Sequence, residues 1–335
     1  MQHNKAAYIP SQGHHLEVRD APYVKPGPDD VIIENHAVAI NPVDWKQQDH
    51  GIFIDSYPSI FGCDVSGIVV EVGSHVTTFK NGDRVIGNSP CLTLGAKYGA
   101  YQLFVPCPAN VTCKIPDNMS FETAVVLPLA INTAGSGLFR RDCLNLPAPS
   151  LRPVPSDVHV VVYGGSTSNG SAAVQLAKSA GVQIIAIASQ PHHDFCTTLG
   201  ANTLIDYKES DWVAKLANEL KGKKVAGAYD SIGTETTMQS LADAFAQADI
   251  SAPIESVAPV PIHIKGNLVF GTDVTKDNLL ASALWKDFLP AALAHKKLLP
   301  KPDAKVVGHG LESIQAAMDT QKQGASASKL VIKIK

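Results

Sequence analysis

The chain has 335 residues, 45% of them hydrophobic and 18% charged, with a formal net charge of −3. That length exceeds one ordinary domain, the apolar content is ample for two cores, and the near-neutral balance leaves no electrostatic footprint for nucleic acid or an anionic membrane surface. No apolar run reaches the length of a membrane span, Met1–Asn4 leads into the strand-like Lys5–Ile9 without a signal-peptide pattern, and six scattered cysteines without a CxxC read as reduced thiols. A soluble, intracellular and cytoplasmic protein is expected.

The first third is strand-rich and punctuated by glycine. Val31–Ala39, Ser66–Val72, Arg84–Gly87 and Tyr101–Val105 are separated by turns such as Lys80-Asn81-Gly82-Asp83, which predicts a compact, mostly β domain. Ser120–Arg141 is helix-prone, opens on Ser120-Phe121-Glu122-Thr123 and passes through Thr133. Four prolines within Asn145–Ser156 then predict a surface excursion, because proline cannot donate to a ladder.

Val158–Gly181 (VHVVVYGGSTSNGSAAVQLAKSAG) reads as a buried strand, a glycine turn and a helix capped by Gly181. Gly164, Gly165 and Gly170 let backbone approach a pyrophosphate, and the amides of Ser166, Thr167, Ser168 and Asn169, with the positive end of the helix dipole, would face its phosphates. Val182–Ala188 is a second buried strand, whose end should meet the adenosine ribose. There the chain reads Ser189-Gln190-Pro191-His192-His193, with no acid for an NAD ribose, which favours NADPH. The plain alternative is a polar loop whose histidines face solvent.

Beyond it, helix-like Asp194–Leu199, Asp211–Leu220 and Thr236–Ala246 alternate with strand-like Asn202–Asp206, Val225–Ile232 and Ser251–Val257, the pattern of a parallel α/β sheet. Leu268–Gly271 is a further predicted strand, Leu279–Lys296 and Gly310–Gln323 are predicted helices, and Lys329–Ile334 closes the chain as a strand.

Ala39–Lys46 (AINPVDWK), Pro58–Val69 (PSIFGCDVSGIV), Gly73, Lys80–Val85 (KNGDRV) and Tyr163–Ser168 (YGGSTS) together resemble the medium-chain dehydrogenase/reductase superfamily over essentially the whole chain. The resemblance is nearest to the fungal trans-acting enoyl reductases that partner polyketide synthases. It implies a GroES-like, mostly β catalytic domain over residues 1–125 and 276–335, and a Rossmann doubly wound parallel-sheet NADPH-binding domain over 126–275. Zinc-dependent members place Cys at Asn41 and His at Cys63 and carry a four-cysteine lobe where Asn88–Tyr101 has only Cys91, so no metal is expected.

Without a metal, reduction of an activated C=C bond is the natural chemistry, and the oxyanion that develops on a thioester carbonyl needs donors. The resemblance gives Lys46 and Thr133 these catalytic parts, and Val43, Asp44 and Trp45 with Lys46 a place by the cofactor. It puts Tyr207 near the adenine, Ile254 and Glu255 at the nicotinamide, and Phe270, Gly271, Thr272, Asp273 and Val274 with Thr133 at the acyl substrate. Ser326 or Ser328 falls in the returning segment that closes on the cofactor in relatives. Each has a bland counterpart: Lys46 as a solvated lysine, Thr133 bonding its own helix, Asp44 and Trp45 fixing a loop, Tyr207 as a common strand-end residue, and Phe270–Val274 as a strand exit. A Glu at position 255 departs from the family pattern.

The expected function is NADPH-dependent enoyl reduction in trans on a carrier-bound polyketide intermediate by a monomer. The alternatives are a zinc-independent quinone or enone oxidoreductase on free small molecules, and a catalytically silent nucleotide-binding scaffold.

Overall fold

The computed structural model describes residues 3–335, which divide into two compact units. Of these, the first comprises residues up to 129, 285–294 and 300–335, and the second residues 130–284 and 295–299. The division thus runs inside the helix Pro128–Phe139, a few residues from the sequence-based boundary at 125/126, and residues 276–284 fall with the second unit.

In the first unit, the strand Asp30–Ala39 is the spine of a seven-stranded sheet. It pairs antiparallel with Asp64–Val72 along one edge, and with Phe104–Pro108 and Ser328–Lys333 in succession along the other. Arg84–Asn88 and Thr112–Lys114 extend the sheet beyond Asp64–Val72, while Asp303–His309 lies parallel to the final strand. A small sheet of Glu17–Ala21, Asn4–Ile9 and Ser59–Ile60 stands beside it. Ala7, Ile9, Ile33, Phe61, Val65, Val85 and Tyr101 fill the core, and the helix Ile314–Gln323 adds Ile314 and Met318. The fork of Arg84 donates to the carbonyls of Pro116, Asp117 and Met119 at 3.0, 2.8 and 2.7 Å and stacks over Phe121. That accounts for an arginine after the Lys80–Asp83 turn.

The second unit is built on a five-stranded parallel sheet in the order Thr203–Ile205, Gln183–Ile187, Val158–Tyr163, Lys224–Asp230, Ile254–Ser256. Alternate residues of each strand face opposite ways. Val161, Ile185, Ile187 and Ala228 therefore pack with Leu216, Leu220, Leu241 and Phe245 of the helices Trp212–Leu220 and Glu235–Gln247. The helix Ser168–Ser179, buried through Ala172, Ala173, Leu176 and Ala177, packs on Val158–Tyr163 and Gln183–Ile187.

Several predicted elements change. The helix expected over Ser120–Arg141 is two helices, Phe121–Ala124 and Pro128–Phe139, because Pro128 is accepted only in a helix's first turn. The strand placed at Tyr101–Val105 runs instead over Phe104–Pro108. Leu268–Gly271 is not a strand: Leu268 makes one bridge to Ser256, and Gly271 already has helical backbone angles at the start of Thr272–Lys276. Leu279–Lys296 is broken into Asn278–Ala281, a π-helical stretch Ser282–Phe288 and Leu289–Ala294.

Arg84→Lys keeps the charge but loses the fork that reaches three carbonyls. It should lower stability by about 1.5–3 kcal/mol, read as a lower urea midpoint with unchanged slope.

Candidate functional site

The turn after Val158–Tyr163 is set by backbone contacts. Gly164 adopts φ +76°, and the amides of Gly164 and Gly165 donate to the carbonyl of Ile187 at 2.9 and 3.1 Å, tying the turn to the neighbouring strand. Thr167 is the N-cap of Ser168–Ser179, its hydroxyl accepting from the Gly170 amide at 2.9 Å. A Cβ on Gly170 would collide with the carbonyl of Gly164. Gly170 therefore serves the close approach of helix to turn. Ser231, missed in the sequence, braces the turn: its hydroxyl lies 2.9 Å from that of Thr167 and donates to the Tyr163 carbonyl at 2.7 Å.

What remains suits a phosphate. The amides of Ser168 and Asn169, first in their helix, have no carbonyl one turn back to bond, and they lie at the positive end of its dipole. The Ser168 hydroxyl oxygen is buried without a hydrogen-bond partner. Ser166 and Asn169 are half-buried beside it.

At the end of the second strand, Ser189 is buried and Gln190–His192 forms a 3-10 turn. An acid is present here after all. Asp206, at the end of the third strand, accepts from the Gln190 amide at 3.1 Å and the Lys208 amide at 2.9 Å, and these bonds, with His193 and Lys208 nearby, hold its carboxyl below the usual range. His193 is turned inward to the Ala188 carbonyl, 3.0 Å away. Tyr207 stands beside Tyr163, ring centroids 6.1 Å apart.

Ile254 and Glu255 lie on the edge strand, and Glu255 is 0% exposed. Its carboxylate accepts from Asn267 at 3.3 Å and meets the Cys143 thiol, while its second oxygen is buried without a partner. Burial raises its pKa. The departure at this position is thus an internal acid beside a thiol. Asp273 is ion-paired to Arg140, Thr272 and Val274 are buried, and Phe270 is exposed. Thr133 is buried within Pro128–Phe139.

In the first unit, Val43, Asp44, Trp45 and Lys46 occupy the helix Pro42–His50. Lys46 is exposed, with its ammonium 5.7 Å from the Trp45 ring, which Lys322 approaches from another element at 5.9 Å. Asp44 is fully buried: one oxygen accepts from the Asn41 amide at 2.6 Å and the Tyr101 hydroxyl at 2.7 Å, and the other has no partner. Desolvation pushes its pKa up to about 7 against those two hydrogen bonds. Asp44 therefore organises the helix that carries Lys46 from beneath.

The positions that correspond to metal ligands hold a donor set unsuited to zinc. Asn41 presents an amide whose oxygen accepts from the Lys329 ammonium and whose nitrogen donates to Asp64 at 2.8 Å. Cys63 lies 3.8 Å from Cys91, sulfur to sulfur, and that bond together with burial raises its pKa. Among the described residues, no group of three or more His, Cys, Asp or Glu side chains could hold a metal ion. No helix of the described residues is long and apolar enough to cross a membrane.

This pairing of a β-rich unit with a glycine-turn parallel sheet defines a nucleotide-dependent oxidoreductase fold. Residues 27–117 match the alcohol dehydrogenase GroES-like domain and 170–248 the zinc-binding dehydrogenase family. Dehydrogenase orsE of Emericella nidulans is 36% identical over 353 aligned positions, covering all of both chains. Trans-enoyl reductase himH of Aspergillus japonicus is 36% identical, covering 99% of this chain and 97% of its own. The crystal structure of an alcohol dehydrogenase superfamily protein from Novosphingobium aromaticivorans superposes with a TM-score of 0.80 at 22% identity, covering 99% of this chain and 100% of its own. The chain belongs to the medium-chain dehydrogenase/reductase superfamily.

Two substitutions test this geometry. Gly170→Ala must push the helix off its turn and should cost about 2–4 kcal/mol, measured by urea unfolding. For Asp44, the folded chain holds its proton to higher pH than the unfolded chain, where the carboxyl titrates near 3.8. The stability it contributes is complete below that value and is lost as pH rises through about 7. Asp44→Asn cannot ionise and should gain on the wild type between about pH 4 and 7, by up to about 4 kcal/mol. Parallel stability curves for the two proteins would contradict this.

Proposed function

We propose that the protein is an NADPH-dependent enoyl reductase acting in trans on the α,β-double bond of a thioester carried by a polyketide synthase. The observation that carries this reading is a braced glycine turn with open helix amides in a chain whose metal positions hold Asn41 and Cys63. Its similarity over the full length to a protein named a trans-enoyl reductase supports it.

NADPH, when bound, would supply the hydride that reaches the β-carbon, and a proton from water or a side chain completes the reduction at the α-carbon. The chain's own tasks are then to hold the pyrophosphate and answer the charge arriving on the thioester oxygen. The Ser168 and Asn169 amides receive phosphate. Lys46, on a helix fixed from below by Asp44, supplies a positive charge for the developing enolate, and the Thr133 hydroxyl donates to the thioester oxygen. Ser189, Gln190 and His192 receive the ribose end.

One observation favours a variant of this reading. Asp206 carries negative charge at the Gln190 amide, where a 2′-phosphate would bring more, so NADH is the competing cofactor. Free quinones and enones are the competing substrates.

Cofactor oxidation is followed with NADPH and NADH against 2-enoyl pantetheine thioesters, a quinone and a free enone. The expected result is turnover of thioesters with NADPH, reduced roughly 10²-fold or more in kcat by Lys46→Ala and by Thr133→Val. Faster quinone or enone turnover moves the protein to the free-substrate reading, and no turnover at all leaves a nucleotide-binding scaffold.

A further inference from the structure

The residue at the first of the two metal-ligand positions, Asn41, bonds a cation of another kind. Lys329 is only 4% exposed, yet its ammonium bonds Asn41 Oδ1 and lies 3.2 Å from Asp64 Oδ2. Asn41 Nδ2 donates to that same Asp64 oxygen at 2.8 Å, and the other Asp64 oxygen accepts from the Leu129 amide at 2.6 Å. Asp64 itself is 0% exposed. The three side chains come from segments distant in sequence: Asn41 is the N-cap of Pro42–His50, Asp64 begins a strand of the large sheet, and Lys329 is the second residue of the final strand.

Burying an ammonium and a carboxylate together is a poor route to stability, since desolvation takes back most of what attraction gives and apolar replacements often do as well. Such a pair offers direction instead. Asp64 reaches Leu129, the second residue of the helix that carries Thr133 four residues on, and Asn41 begins the helix that carries Lys46. Both helices thus start on one ionic node.

We propose that Lys329 is a positioning residue whose buried ammonium takes the place of the catalytic metal as the fixed cation of this site, orienting Asn41 and Asp64 so that each anchors the N-terminus of a functional helix. This rests on the enoyl reductase reading for what the helices carry, and on the hydrogen bonds alone for the anchoring. The lysine touches no reacting atom. Its part is to hold the Asn41 amide and the Asp64 carboxylate in the orientations that the helix starts require.

Lys329→Met alone leaves the Asp64 charge buried and unpaired, so the decisive protein is the double variant Asp64→Asn/Lys329→Met, which removes both charges and keeps an oxygen for Leu129. Hydrogen exchange is measured by mass spectrometry on the full chain without ligand. Peptides spanning residues 42–50 and 128–134 should exchange at least tenfold faster than in the wild type, while the parallel-sheet strands keep wild-type rates. With a 2-enoyl pantetheine thioester, kcat should fall 10- to 100-fold with KM for NADPH within twofold. Lys329→Arg, which retains the cation, should keep wild-type exchange and kcat. Unchanged exchange in both peptides, or wild-type kcat in a double variant whose helix starts exchange faster, overturns the proposal. If the wild type reduces no enoyl thioester, the functional reading fails, and the exchange result alone decides the anchoring.

Discussion

The antiparallel pairing of Ser328–Lys333 with Asp30–Ala39 is the constraint on which the first unit depends. It joins the last strand of the chain, with Asp303–His309 on its far side, to five strands drawn from residues 30–114. Asp303–His309 is exposed along nearly its whole length, with no apolar face of its own to bury, and it is a strand because the final strand offers it parallel partners. The same insertion delivers Lys329 to Asn41 and Asp64 across 265 residues or more of sequence, a contact that no local preference could create. Long-range closure of this kind costs loop entropy that only a cooperative sheet returns.

The second unit solves a different problem, bringing a helix N-terminus close to a strand end while leaving amides unspent. Thr167 and Ser231 share the work: one hydroxyl caps the helix, and the other fastens the cap to the carbonyl of Tyr163. Gly170 removes the side chain that would keep helix and turn apart. The turn's rigidity is internal to the protein, so a ligand meeting it has little ordering left to impose. Glycines that look like ligand contacts in a motif can therefore be packing residues first.

Much of this was legible in the sequence. β-branched runs and turn glycines marked Val158–Tyr163, Gln183–Ile187 and Asp64–Val72, because strands that are buried need apolar residues and their ends need positive φ. The break at Pro128 is visible in the sequence too, since proline is accepted only in a helix's first turn. Phe104–Pro108 was displaced because Pro106 and Pro108 argue against a strand, and the sheet tolerates them where no ladder donor is needed. The acid at the ribose segment was sought at the end of the second strand, whereas the parallel register brings the end of the third strand, with Asp206, to Gln190. Neither the burial of Asp44 nor its bond to Tyr101 has any local signature, since Tyr101 lies 57 residues away in the chain.

Asp64 explains why Asn41 and Lys329 belong together. Asp64 has partners on both carboxylate oxygens, unlike the equally buried Asp44 and Glu255. The amide of Leu129 answers one, and a neutral Asn41 amide alone on the other would leave a full buried charge. A divalent ion would need a set of thiolate, imidazole or carboxylate donors that an amide and a paired thiol do not provide. A single ammonium matches the single carboxylate and donates to the Asn41 oxygen as well, which turns the Asn41 nitrogen toward Asp64. Lys329 is enclosed within the protein and its charge is directed to Asn41 and Asp64, whereas Lys46 stands open to solvent.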